Sequence, residues 1–268
     1  MNFVNDTISP FMGSPIATPL GLIPDGMLPS GYMQKEMRDA TVVAHGSTMP
    51  FFDEMMRAHR TLHAWASQQP TRRAMQGRQV AWSAPLPDSE VRAVVRHSHH
   101  GGMLASLTRD VFLVPRAPDE LRISWTLRHV GIRTPRVLGY ALYPLLAGQM
   151  FRADVVTQEV VHGVELLQAL TTDVADFPRD ACIEATLTLL RRLARIWAHH
   201  RDLNCKNILL ATTETGEIVA YVLDVDTLRF ADKQAESRNA SRLLQSVRKL
   251  NATARSAGLT QLATRLGR

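Results

Sequence analysis

The spacing of apolar residues is typical of strands in the first part of the chain and of helices in the second. Val91, Ala93 and Val95 occupy alternate positions, which predicts a strand with one buried face. Strands are predicted in this way at residues 80–83, 91–97, 153–161, 208–210 and 218–223. The last two strands are separated by Glu214, Thr215 and Gly216, and we expect them to pair as a hairpin.

Helical spacing begins with Phe52, Met55, Leu62 and Trp65, which form one approximate stripe over residues 51–67. We attribute that stripe to core packing, because periodic apolar residues usually face a core. Further helices are predicted at residues 119–130, at residues 181–198 and from Ala235 onward. Gly131 is well placed to end the first of these, since glycine adopts the left-handed conformation that closes a helix.

Strands that precede helices predict an α+β chain with a small β-rich N-lobe and a larger, mainly helical C-lobe. We expect the N-lobe to span about 51–158 and the C-lobe about 159–268. The first residues are rich in Pro, Gly, Met and Ser and have no sustained period. We therefore expect residues 1–50 to form a loosely structured extension.

Charge and cysteine content narrow the class of protein. The chain has 31 Lys and Arg against 25 Asp and Glu, a net charge of +6, which favours an anionic partner. Nucleic acid is a poor fit, because the basic residues are dispersed and no aromatic residues are interleaved with them.

Cys182 and Cys205 are too few for a disulfide framework, which suggests a reducing, cytoplasmic compartment. The apolar stretch 137–151 is too short to span a bilayer, so contact with a membrane would be peripheral.

The segment H-R-D-L-N-C-K-N at residues 200–207 has the spacing of a phosphoryl-transfer loop. Asp202 would orient the attacking hydroxyl, and Asn207, five residues later, would place an amide oxygen on Mg²⁺. Asp224 ends an apolar run and would be a second metal ligand. His200 would support the loop, and Asp226 would add a ligand or hold the loop. The structural alternative is that Asp202 and Asp224 cap helices or form surface pairs.

Upstream, Arg96 ends the quartet A-V-V-R, where a kinase has a lysine that binds the nucleotide phosphates. Glu120, on the following helix, is its candidate ion-pair partner. The alternative for Arg96 is an exposed charge on a strand. Gly77, in Q-G-R-Q-V-A-W, would form the turn that covers the phosphates, although a single glycine also suits an ordinary hairpin.

A cluster of histidines follows Arg96 and consists of His97, His99 and His100. Zinc binding is one interpretation, but no further Cys or carboxylate lies nearby at ligand spacing. A polar loop that faces phosphate or an acidic sugar is the alternative that we prefer. Cys205 is disfavoured as a nucleophile, because Asp202 and Asn207 already fill the catalytic positions of the loop.

These motifs, in this order, resemble the Kdo kinase branch of the lipopolysaccharide kinases, which are bacterial relatives of protein kinases. The resemblance covers about residues 51–250 and includes Q-G-R-Q-V-A-W, V-V-R-H-S-H-H-G-G, F-R-A-D-V-V-T-Q-E-V, H-R-D-L-N-C-K-N-I-L-L and V-L-D-V-D. It implies a bilobal protein-kinase-like fold. It also implies ATP-dependent phosphorylation of the 4-hydroxyl of Kdo (3-deoxy-D-manno-octulosonic acid) on a lipid A precursor, at the cytoplasmic face of the inner membrane.

The resemblance also implies roles for individual residues. Asp202 is then the catalytic base, and Asn207 and Asp224 bind Mg²⁺. Arg96 and Glu120 organise the phosphates of ATP. The backbone from Gln158 to Val160 contacts adenine.

Three alternatives stay open at this point. A lipopolysaccharide heptose kinase, or a small-molecule kinase of the aminoglycoside or choline type, would share Asp202, Asn207 and Asp224. A catalytically weak pseudokinase is favoured by two departures from the family pattern. These are Gln79, where the glycine turn usually has a second glycine, and Arg96, where lysine is the commoner residue.

Overall fold

The computed structural model describes residues 28–75, 80–97, 116–145, 149–172 and 174–267. The chain forms two compact units. The sheet unit comprises the described residues between 28 and 125 and between 136 and 159, and the helical unit comprises residues 126–135 and those from 160 onward. The predicted α+β class, with a β-rich part and a mainly helical part, is confirmed.

The sheet unit is built on one antiparallel sheet of seven strands, in the order β1-β2-β6-β7-β5-β4-β3. The strands are β1 (Tyr32–Met37), β2 (Ala40–His45), β3 (Arg73–Met75), β4 (Ala81–Pro85), β5 (Arg92–His97), β6 (Val137–Leu145) and β7 (Met150–Gln158). The helices are α1 (Met49–Ala58), α2 (Leu62–Gln68) and α3 (Ala117–His129), the last of which continues into the helical unit. One face of the sheet packs on α1 and α2 and the other on α3.

The expectation of a loosely structured extension over residues 1–50 is wrong for its second half. Strands β1 and β2 and the start of α1 lie there, and β2 pairs with β6 inside the sheet. Val42 and Val43 are both fully buried, and they belong to the two opposite cores. A strand buried on both faces has no alternation of polar and apolar residues to reveal it. The N-lobe is therefore larger than predicted; residues 1–27 lie outside the described part.

The predicted stripe over residues 51–67 is divided between two helices. Phe52 and Met55 of α1 and Leu62 and Trp65 of α2 are buried, as expected for core residues. Thr61 begins the second helix, because its side-chain oxygen accepts a hydrogen bond from the backbone N–H of Ala64 at 3.0 Å.

Helix α3 ends where the sequence predicts. Gly131 has φ +77°, in the left-handed region that glycine adopts at little cost. The N–H of Ile132 donates to the carbonyl of Leu127 at 2.8 Å, and the N–H of Gly131 donates to that of Arg128 at 3.1 Å. These two bonds form a Schellman motif, so the turn satisfies carbonyls that the end of a helix would leave without partners.

The helical unit contains α4 (Leu166–Thr171), α5 (Arg179–Arg195), α6 (Ala235–Ala254) and α7 (Ala257–Leu266). Its strands are β8 (Val164–Glu165), β9 (His199–His200), β10 (Ile208–Thr212), β11 (Ile218–Val222) and β12 (Leu228–Arg229). Strands β10 and β11 form the predicted hairpin, to which β8 adds a third strand, and β12 pairs with β9. No helix in the described part of the chain is long and apolar enough to cross a membrane.

Candidate active site

The loop between β9 and β10, residues 201–207, is anchored by His200, whose side chain is fully buried. The ring Nε2 lies 2.9 Å from the carbonyl oxygen of Leu223, which only accepts hydrogen bonds, so Nε2 bears the proton. The ring Nδ1 accepts from the backbone N–H of Asp202 at 3.2 Å. These two partners fix the neutral Nε2–H tautomer. His200 therefore joins the start of the loop to the end of β11, as its predicted supporting role requires.

Asp202 has a fixed backbone and an accessible carboxylate. Its carbonyl oxygen accepts hydrogen bonds from the side-chain amides of Asn204 and Asn207, each at 2.9 Å. Its side chain is 45% exposed, and Oδ1 lies 3.0 Å from Nη2 of Arg242 on α6. The carboxylate is therefore accessible to the hydroxyl group of a ligand, while hydrogen bonds fix the backbone of the loop.

The amide of Asn207 is oriented by the same contact. Because the carbonyl of Asp202 only accepts hydrogen bonds, the NH₂ group of Asn207 must face it, and this assigns the amide orientation. The side-chain oxygen then points away from that carbonyl and is free to act as a ligand. The backbone carbonyl of Asn207 accepts from the N–H of Leu223 at 2.9 Å.

Asp224 follows a residue that the loop holds on both sides. The N–H of Leu223 binds Asn207 and its carbonyl binds His200, so the end of β11 is fastened to the loop. Asp224 itself has φ +51° and ψ +46°, a left-handed conformation that Asp tolerates better than most residues. The chain turns here into a short 3₁₀ helix, Val225–Thr227, and the side chain of Asp224 is exposed.

The donor set of Asn207 and Asp224 suits Mg²⁺. This ion takes one or two carboxylates and completes its octahedron with water and phosphate oxygens. Among the described residues, no three His, Cys, Asp or Glu side chains form a group that could hold a metal ion. Asp224 would supply one carboxylate and Asn207 one amide oxygen to Mg²⁺.

Cys205 lies inside the loop, but its thiol has low reactivity. Its side chain is fully buried, and burial raises the pKa of the thiol to about 11. Its backbone N–H donates to the hydroxyl of Ser246 on α6 at 3.3 Å. The buried, protonated thiol agrees with the expectation that Cys205 is not a nucleophile.

In the sheet unit, Arg96 of β5 forms an ion pair with Glu120 in the first turn of α3. The carboxylate of Glu120 is only 8% exposed, whereas the guanidinium side chain of Arg96 is 29% exposed. The predicted pair is therefore present in the structure. A role for either residue in binding phosphate stays a prediction.

Gln158 and Val160 have some of their backbone groups already in use. The N–H of Gln158 donates to the carbonyl of Arg136 at 2.8 Å, and the carbonyl of Val160 accepts from the N–H of Gly163 at 3.1 Å. A role of the backbone from Gln158 to Val160 in binding adenine stays a prediction. Between them, Glu159 is held by ion pairs with Arg73 and Arg92.

His97 binds a buried carboxylate of its own unit. Its Nδ1 contacts Asp154, whose side chain is fully buried and also accepts from the hydroxyl of Tyr143 at 3.0 Å. The ring stacks on that of His63 with centroids 4.0 Å apart. His97 is thus part of a structural network. The other predicted residues of this region, Gly77, His99 and His100, lie outside the described residues.

Sequence reasoning missed a set of contacts from α6. Asn239 accepts from the N–H of His200 at 2.9 Å, Arg242 binds the carboxylate of Asp202, and Ser246 accepts from Cys205. These three positions lie on one helical face, at i, i+3 and i+7. Several other polar residues of α6 are equally regular, so spacing alone does not indicate which of them face the loop.

The loop of the H-R-D motif is hydrogen-bonded to the end of a β-hairpin, and the sheet unit contains an Arg–Glu ion pair. Together these features define the class of protein as protein-kinase-like. The family follows from sequence. The model of the lipopolysaccharide kinase (Kdo/WaaP) family matches residues 62–261, and the chain belongs to this family. The predicted family resemblance is confirmed.

Individual relatives are similar to the chain over most of its length. A 3-deoxy-D-manno-octulosonic acid kinase from Xanthomonas oryzae is 31% identical over 65% of the chain and 68% of the relative. One of the same name from Vibrio vulnificus is 25% identical over 59% of the chain, and the match covers 66% of that relative. A solved structure described as WaaP in complex with acyl carrier protein covers 85% of this chain and 89% of its own, with 16% identity and a TM-score of 0.47. The family assignment rests on the sequence matches.

Proposed function

We propose that the chain is an ATP-dependent kinase that phosphorylates the 4-hydroxyl of a Kdo sugar on a lipid A-linked lipopolysaccharide precursor. The observation that carries this proposal is the arrangement around Asp202. Its backbone is fixed by His200 and Asn207, while its carboxylate stays accessible. Membership of the lipopolysaccharide kinase family and the names of the curated relatives support the sugar acceptor.

In this proposal each residue has one task. Asp202 accepts a hydrogen bond from the acceptor hydroxyl and takes its proton as the oxygen attacks the γ-phosphorus of ATP. The bond between the γ-phosphorus and the bridging oxygen breaks, and ADP leaves. Asn207 and Asp224 would hold Mg²⁺, which neutralises charge on the phosphates when it is bound. Arg96, oriented by Glu120, binds phosphate oxygens through its planar fork. The backbone from Gln158 to Val160 binds adenine.

The location that we propose is the cytoplasmic side of the inner membrane, with peripheral attachment. A net charge of +6 favours association with an anionic lipid surface and with an anionic, membrane-held substrate. Nucleic acid is not among the proposed partners.

The proposal is tested by offering the purified full chain Mg-ATP and a panel of acceptors. The panel contains Kdo-lipid A, a heptose-containing core oligosaccharide, an aminoglycoside and choline, and mass spectrometry detects the added phosphate. We expect phosphate on Kdo-lipid A, at the 4-hydroxyl by NMR. Phosphate on heptose alone, or on the small alcohols alone, would favour the corresponding alternative kinase. Nucleotide binding without transfer to any acceptor would favour a pseudokinase.

A further inference from the structure

Helix α6 fixes the geometry of the candidate base from outside its loop. Asn239 and Ser246 bind the backbone at the two ends of the segment 200–205, and Arg242 lies between them on the same helical face. The helix is 20 residues long and buries Leu243 and Val247 in the unit. The guanidinium of Arg242 is therefore delivered to the carboxylate of Asp202 by a firmly packed element.

The guanidinium of Arg242 has more donors than its observed contacts use. Arginine has five N–H donors in a planar fork. Nη2 binds Oδ1 of Asp202 at 3.0 Å, and Nη1 has a long contact of 3.3 Å with Oε1 of Gln245. The side chain is 44% exposed. Donors of Arg242 are thus open to a ligand directly beside the group that receives the acceptor hydroxyl.

The ion pair between Arg242 and Asp202 does little to stabilise the fold. An ion pair between two side chains that are each almost half exposed contributes little to folding, because water screens it. The planar guanidinium beside the carboxylate of Asp202 matters more for binding a negatively charged group of a substrate than for folding. Arginine matches the geometry of a carboxylate and binds it with two parallel hydrogen bonds, whereas a neutral sugar hydroxyl needs no such partner.

We propose that Arg242 binds the carboxylate of an acidic sugar acceptor while Asp202 receives the hydroxyl of the same sugar ring. Arg242 is then a residue that determines specificity for sugar acids over neutral alcohols. The inference rests on the proposed function and deepens it, since it assigns the acid group of the acceptor to one residue.

The test is a cycle of two enzymes and two acceptors. Wild type and Arg242→Gln are each assayed with Kdo-lipid A and with its carboxyl methyl ester, and kcat and KM are determined separately. Wild type is expected to prefer the free acid by about 10- to 100-fold in kcat/KM, the effect of a hydrogen-bonded charge pair. Arg242→Gln is expected to use acid and ester almost equally, with most of the loss in KM for the acid. Arg242→Lys should retain part of the preference, because it keeps the charge and loses the fork.

Arg248 supplies the matched control. It is an exposed arginine on the same helix, and Arg248→Gln removes the same charge without changing the preference for the acid. A thermal melt of each variant checks that it is folded. If Arg242→Gln lowers activity on acid and ester by the same factor, Arg242 only positions Asp202 and the inference is overturned. Failure of the proposed function is distinct, since wild type would then transfer phosphate to neither Kdo acceptor.

Discussion

The ring of His200 donates a hydrogen bond to the carbonyl of Leu223 at 2.9 Å, and this contact joins two segments 23 residues apart. Through it, the loop that bears Asp202 and the strand end that bears Asp224 become one structure. The imidazole is fully buried and also accepts from the N–H of Asp202. One side chain therefore fixes the positions from which both candidate carboxylates emerge.

Replacement of His200 should loosen both segments. His200→Ala leaves the carbonyl of Leu223 without its donor, so we expect a loss of about 1–3 kcal/mol in the free energy of unfolding. Turnover should fall more than ATP affinity, because Asp202 loses its orientation. Urea denaturation and steady-state kinetics measure the two effects. His199→Ala is the control, since His199 pairs with Asp232 and not with the loop. Unchanged kinetics in a folded His200→Ala would contradict this account.

The two carboxylates should separate binding from chemistry. Asp224→Ala should abolish Mg²⁺-dependent ATP binding, measured as a thermal shift, because it removes the proposed metal carboxylate. Asp202→Asn should preserve that shift and lower kcat by about 10²- to 10⁴-fold, the usual contribution of a general base. Loss of nucleotide binding in both variants, with their folds intact, would disprove this division of roles.

The ion pair of Arg96 and Glu120 should contribute to the affinity for ATP. Arg96→Met should raise the Kd for Mg-ATP by about 10-fold or more, because it removes a charged hydrogen-bond donor to phosphate. Arg96→Lys should retain most of the affinity, since lysine also binds phosphate as a point charge. Isothermal titration with Mg-ATP measures both. Equal ATP affinity in wild type and Arg96→Met would leave Arg96 with a structural role only.

Cys205 should resist alkylation. Burial raises the pKa of its thiol from 9.0 to about 11, so at pH 8 it forms far less thiolate than an exposed cysteine. Since pH 8 is below both values, the thiol is protonated in the folded and unfolded chain alike, and the difference lies in the small reactive fraction. Iodoacetamide should label it slowly in the native protein and rapidly in guanidinium. Rapid native labelling with loss of activity would argue for an exposed, functional thiol.

Gly139 should be intolerant of a side chain. It lies in β6, and a Cβ there would approach the carbonyl oxygen of Val43 and the ring of Phe52 to 2.6 Å. Because backbone cannot yield easily, we expect Gly139→Ala to cost about 1–3 kcal/mol in chemical denaturation. Gly46→Ala is the control, since its Cβ would mainly meet the flexible end of Met33 at 3.2 Å. Equal stability of the two variants would show that the sheet relaxes around residue 139.

The features that the sequence predicts correctly are those whose residues lie close together along the chain. His200, Asp202 and Asn207 fall within eight residues, and the structure joins all three through hydrogen bonds to the backbone of Asp202. The helix end at Gly131 was equally predictable, because it depends only on residues next to it in the sequence.

Long-range contacts and doubly buried strands escaped prediction. The link between Arg242 and Asp202 spans 40 residues, and nothing in the pattern of α6 distinguishes this arginine from its polar neighbours. Strand β2 is buried on both faces, so Val42 and Val43 give no alternating signal. The break at Thr61 depends on a single capping hydrogen bond within an apolar stripe.

The most direct test of the central claim is transfer of phosphate from Mg-ATP to Kdo-lipid A by the purified full chain, compared with Asp202→Asn. We expect one added phosphate on the 4-hydroxyl of Kdo with wild type, and a rate about 10²- to 10⁴-fold lower with the variant. Equal rates in the two proteins, or transfer by wild type only to acceptors without Kdo, would contradict it.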